Sequence, residues 1–184
     1  MSSLYRKLCT FCEERKLIEI YNKIDESGTF GLGVLICVSQ TDFIYSFVDK
    51  QGRLDGIRIE AIDDIWKIVE ESSYINKFKR IISEEGYDLS VDGYSNCFNN
   101  EKFSMMSFLQ YPADTERAVT VYFSEPGGSE LLGFVAEIDD GIIKFKEVDK
   151  YDGAASVTYI NIDDIYACSC GSKNERIAEV PENV

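Results

Sequence analysis

Ile62-Asp63-Asp64-Ile65 returns one hundred residues later as Ile162-Asp163-Asp164-Ile165, and this repetition decides how the rest of the chain is read. Around it, Val48-Asp49-Lys50 returns as Val148-Asp149-Lys150, and Leu32-Gly33 as Leu132-Gly133. With small gaps, Asp55-Gly56 matches Asp152-Gly153, and Ile18-Glu19-Ile20-Tyr21 matches Val119-Thr120-Val121-Tyr122. One short identity is a coincidence any chain offers. Several in the same order at a nearly constant offset mark an internal duplication, with a unit of roughly fifty-five residues.

Within each unit, apolar and β-branched residues come in short runs separated by Gly and Asp, which is the pattern of strands. The runs predict strands near 17–23, 31–39, 42–49, 56–62 and 65–70, and again near 118–123, 132–138, 142–148, 154–162 and 165–170. Polar links such as Gln40-Thr41-Asp42 and Asp139-Asp140-Gly141 suit antiparallel hairpins, because Asp bonds its own backbone and Gly is free in φ. Three segments read as helices. Residues 3–16 place Leu4, Leu8, Phe11 and Cys12 on one face. Ser72 or Ser73 caps a helix carrying Tyr74, Phe78 and Ile81 and ending near Gly86. A third spans 100–110, with Asn99 or Asn100 as cap and Pro112 as stop. The tail from Gly171 to Val184, with Pro181, reads as mobile or as a last strand followed by fraying.

The expected fold is therefore mainly β with α: two tandem five-stranded small barrels with short helices before and between them. Residues 1–86 would form the first and 87–184 the second. The stretch from Gly33 to Tyr45, with apolar residues leading to Val38 and then Asp42-Phe43-Ile44-Tyr45, resembles the first motif of Sm-like proteins, a branch of the SH3-like barrels. The resemblance implies a bent five-stranded barrel with Ile62-Asp63-Asp64-Ile65 at the turn into its last strand. It also implies RNA reading through an Asn in the first motif and an Arg-Gly in the second. This chain departs at both, since Asp42 or Ser46 stands near the Asn place and Asp55-Gly56 and Asp152-Gly153 stand where Arg-Gly is expected. A carboxylate there repels phosphate.

Composition narrows the function classes. Among 184 residues, 33 Asp and Glu face 19 Lys and Arg, for a net charge of −14, and there is no histidine. That field opposes nucleic acid and favours basic partners. The missing histidine removes the commonest general base, the commonest zinc nitrogen ligand and every Ser-His or Cys-His pair. The chain has no eighteen-residue apolar run and opens on a charged amphipathic segment, so the expectation is a cytoplasmic protein that does not enter a membrane. No cofactor is expected.

Cys9, Cys12, Cys168 and Cys170 have the number and type to hold a tetrahedral zinc, but the first pair lies in a predicted helix and the second along a strand, so buried apolar thiols are the preferred reading. The repeated aspartates match no calcium loop and suit turns. Trp66, Tyr74, Phe78 and the segment Phe103-Ser104-Met105-Met106-Ser107-Phe108 read either as core packed at helical spacing or as an exposed surface for a partner; on the second reading Trp66, Tyr74 and Phe78 are the candidate anchors, with Asp55 and Asp152 supplying charge. The expected function is a non-enzymatic binding or regulatory module recognising a protein or peptide through an acidic surface. An Sm-like RNA-associated protein using Lys77, Lys79 and Arg80 is the alternative, and an enzyme with a cleft between the units is the third.

Overall fold

The computed structural model describes residues 3–23, 29–90, 103–124, 129–148 and 156–180. Asp152, the Asn99 and Asn100 caps and the start of the third helix lie outside them. The first half contains α1 (Ser3–Glu13), β1 (Leu17–Asn22), β2 (Gly31–Val38), β3 (Asp42–Val48), β4 (Leu54–Ala61), β5 (Ile65–Val69) and α2 (Ser73–Glu85). The second contains α3 (Met105–Thr115), β6 (Ala118–Phe123), β7 (Glu130–Asp139), β8 (Ile142–Glu147), β9 (Ser156–Asn161), β10 (Ile165–Cys170) and α4 (Lys173–Ala178).

Both halves share one topology down to single hydrogen bonds. Ile62–Asp64 and Ile162–Asp164 each form a 3-10 turn into the fifth strand. Ile62 N donates to Thr41 O as Ile162 N does to Gly141 O, and Lys23 N donates to Asp64 O as Ser124 N does to Asp164 O. A bulge falls between Leu35 and Cys37 in one half and between Val135 and Glu137 in the other. Gly33 and Gly133 recur because the neighbouring strand passes too close for a side chain: an added Cβ would lie 2.4 Å from Ser46 O and 2.1 Å from Lys146 O.

Two barrels do not form. The strands make one open antiparallel sheet of ten, ordered β5-β1-β2-β3-β4-β10-β6-β7-β8-β9. Each half thus runs fifth-first-second-third-fourth. The outer edge of β4, which would have to meet β5 to close the first half, is paired with β10 of the second (Glu60 with Ala167, Ile59 with Cys168, Arg58 with Ser169, Ile57 with Cys170). A strand has two edges, so this pairing leaves β5 and β9 as the two ends of the sheet.

Side chains alternate across a strand, and at β4 this alternation swaps the inside of one half for the outside of the other. On one face, Phe43 and Tyr45 pack with Leu8 and Phe11 of α1. On the opposite face, Ile57 and Ile59 join Cys168, Cys170, Val119, Val121 and Phe145 under Phe108 and Leu109 of α3. Helix α2 covers the outside of the first half, setting Ile75 and Phe78 against Leu17, Leu32 and Val34.

The helix ends depart from the expectations in two places. Helix α3 is capped by Ser104, whose side chain and that of Ser107 satisfy each other's backbone N–H, and it continues through Pro112 to Thr115. The tail is not a frayed strand: Ser172 and Glu175 form the same reciprocal cap and start α4. Helix α2 follows expectation, with Ser72 accepting from Ile75 N and Gly86 closing the end at φ +69°. Among the described residues, no helix is long and apolar enough to cross a membrane.

Candidate functional site at the sheet edge

Trp66, Tyr74 and Phe78 are brought together, with two rings the sequence reading did not single out. Trp66 lies edge-on to Tyr21 (5.6 Å between centroids), Tyr21 meets Phe30 (5.0 Å), Phe30 meets Tyr74 (5.1 Å) and Tyr74 meets Phe78 (4.8 Å). These separations are those of favourable aromatic pairs. The string runs from the free strand β5 to α2. Phe78 is its buried end and belongs to the core, while Tyr74 is 41% exposed and Trp66 56%. Lys67 folds its ammonium over Tyr21 at 3.5 Å and Trp66 at 5.0 Å.

Beneath the string lies Glu19, buried on β1, accepting from Tyr21 Oη at 2.8 Å and from Ser72 Oγ at 2.5 Å. Burial first, and then this bond to Glu19, pushes the Tyr21 hydroxyl above its ordinary value. The string is therefore fixed from below by a carboxylate that also meets the cap of α2. The signal for Tyr21 was present in the strand alternation, because Glu19 and Tyr21 share a face; Phe30 and Lys67 carried none.

The same positions in the second half are Tyr122 and Tyr166, 6.2 Å apart, and there they are covered. Arg58 of β4 reaches across the junction and stands 4.3 Å from the Tyr122 ring and 5.9 Å from Tyr166. Its Nε is 2.7 Å from Glu60 Oε1, an ionic contact, although that N–H is aligned with no acceptor among the described residues. Burial alone would weaken the guanidinium's charge, but Glu60 prevails and holds its pKa well above the ordinary value. Glu60 also accepts from Tyr45 Oη at 2.9 Å and Asn22 Nδ2 at 3.4 Å.

Asp55 is not at this edge. It receives the Lys173 N–H at 2.8 Å and Arg176 Nη2 at 3.3 Å, so it clasps α4 to the first half at an open hollow of about 670 Å³. Close by, Gly56 at φ +92° passes so near the end of β10 that a Cβ would lie 2.6 Å from Ser172 N.

The cysteine pairs sit apart, Cys12 against the α1 core and Cys168 and Cys170 in the α3 core. No group of three or more potential metal ligands occurs among the described residues. Burial, ahead of the neighbouring Cys9, pushes the Cys12 thiol up. It raises Cys170 to about 12 and Cys168 well above the ordinary thiol value, which favours apolar packing over thiolate chemistry. Lys77, Lys79 and Arg80 are exposed on α2, with Arg80 Nε 2.7 Å from Glu84.

Compared with known proteins, the chain matches no family model, no curated protein and no solved structure.

Proposed function

We propose that this protein is a non-enzymatic binding module that recognises an extended segment of a protein or peptide along β5. The observation that carries the reading is the aromatic string beside a strand edge that is unpaired among the described residues. A free edge offers a row of backbone donors and acceptors to an incoming strand, and adjacent rings supply the apolar contact that gives such pairing specificity. Asp63 and Asp64 precede the edge and Glu71 follows it, beyond a Glu70 that Lys7 and Lys16 already hold, so a segment carrying Lys or Arg suits it better than an acidic one. The net charge of −14 adds attraction over distance for the same class of segment.

The test is selection of displayed random peptides on the immobilised protein at low concentration. Enriched peptides should alternate apolar residues with basic ones and lose about tenfold or more in affinity on Trp66→Ala, the cost of removing an aromatic anchor. Equal binding to Trp66→Ala and to the unaltered chain would refute the reading.

A further inference from the structure

The edge that β5 leaves open has a counterpart within the molecule, because β10 is the fifth strand of the second half and its equivalent edge is occupied. What occupies it is β4, a fourth strand, in a defined antiparallel register. The other end of the sheet, β9, is also a fourth strand. The chain therefore carries one copy of this junction made internally and both of its components left over at its two ends.

From this we infer that β9 of one copy pairs with β5 of a second copy, repeating the β4–β10 junction between molecules; the inference rests on the reading of β5 as a strand-accepting edge, not on its preference for basic segments, and names an uncharged occupant. Carrying the internal register over by the offset of the duplication sets Lys67 opposite Ile160 of the second copy. Ile68 then meets Tyr159, Val69 meets Thr158 and Glu70 meets Val157.

Three observations support the match. The first is exposure. Ile57 and Ile59 are fully buried at the internal junction, whereas their equivalents Val157 and Tyr159 are 53% and 68% exposed. The second is the composition of β9, Ser-Val-Thr-Tyr-Ile-Asn, with no charge and no proline. Isolated edge strands are ordinarily guarded by such residues, and this one has the β-branched and aromatic side chains that favour pairing.

The third is an exchange of the cation. At the internal junction Arg58 comes from the fourth strand to lie over the ring pair, and the fifth strand carries Ala167 opposite Glu60. At the ends the arrangement is inverted: Lys67 on the fifth strand already covers Tyr21 and Trp66, and the fourth strand carries the smaller Thr158 in place of Arg58. Each combination thus supplies one cation to each ring pair. Helix α1 stands to the first half as α3 stands to the second, and α3 lies over Ile57 and Ile59 in a single core. Val157 and Tyr159 would reach the corresponding place beside α1.

The contact is head to tail, so it continues from copy to copy as a closed ring or an open series. Because each chain is strongly acidic, association should strengthen as added salt screens the repulsion.

Sedimentation of the unaltered chain should show a mass that rises above 20.9 kDa with concentration and with sodium chloride. Val157→Lys/Tyr159→Lys closes the β9 end, and Ile68→Lys closes the β5 end while its long stem keeps the partly buried position filled. Each variant alone, shown to be folded by circular dichroism, should sediment as a monomer. The two mixed should form a 1:1 dimer through the one intact edge each retains. Separately, oxidising an Ile68→Cys chain with a Tyr159→Cys chain should give a cross-linked peptide containing both positions. A chain that stays monomeric throughout, or a mixture that does not dimerise and does not cross-link, overturns the inference. If the chain stays monomeric while peptide capture still depends on Trp66, only the second copy is ruled out; if it associates but captures no peptide, only the general binding reading is.

Discussion

The interior of the first half is polar where that of the second is apolar. Asn22, Tyr45 and the partly buried Arg58 form one network around buried Glu60, and the duplication places Phe123, Phe145, Thr158 and Ile160 at the same positions. The fold tolerates either set, so the network is not needed to build the unit. Its distinguishing product is Arg58, directed at the second half's rings. The fourth strand that makes the internal junction carries the costly charged group, and the fourth strand left at an end of the sheet does without it.

The largest effect should follow from breaking that network on one side. Glu60→Ala leaves Arg58 buried without its counter-ion and should lower unfolding free energy by about 3–5 kcal/mol in chemical denaturation. The double change Arg58→Thr/Glu60→Ile imports the second half's residues and should cost less than the single one. A double variant less stable than Glu60→Ala would show that the two interiors are not interchangeable.

A smaller effect belongs to the helix that follows each fifth strand. In the first half, the carboxylate beside the helix start is Glu19, reaching from β1; in the second it is Glu175, on the helix itself, accepting from Ser169 Oγ and Ser172 N. Glu175→Ile copies the residue at the matching place, Ile75, and strands both donors. The expected loss is about 1–3 kcal/mol, with faster amide exchange in α4 while α2 is unchanged.

The smallest is a pH effect at Asp42, whose counterpart is Ile142. Burial raises the Asp42 carboxyl above 3.8, against the opposing hydrogen bond from Thr41. The folded state then holds its proton more tightly than the unfolded one, so this group's contribution weakens as pH rises from 3.8 through the raised value. In Asp42→Asn that dependence should vanish, which paired denaturation curves across the acid range would register; parallel curves would contradict it.

Much of the architecture could be read from the chain because it was local or repeated. The two Ile-Asp-Asp-Ile turns, the strand runs and the Ser72 and Gly86 caps all express short-range rules, and α4 was legible too, since Ser172-Lys173-Asn174-Glu175 has the capping-box spacing. Closure was not legible. Whether β4 turns back to β5 or crosses to β10 depends on a contact spanning over a hundred residues, and both choices satisfy the same alternation. Of the candidate site, Tyr74 and Phe78 were named from helical spacing and stand with Trp66 in one string of rings, whereas Asp55, expected to supply charge to a partner, accepts from Lys173 and Arg176 of α4, an element the tail had not been credited with.

The exchange of faces at β4 has a consequence for how the molecule comes apart. Ile57 and Ile59 are rooted in the first half yet are sheltered by the helix that introduces the second. Heat cannot melt α3 away without uncovering apolar residues of both halves, so calorimetry should record a single peak instead of two. For the same reason, either repeat made alone should expose apolar residues that the other now covers, Ile57 and Ile59 in one and Cys168 and Cys170 in the other.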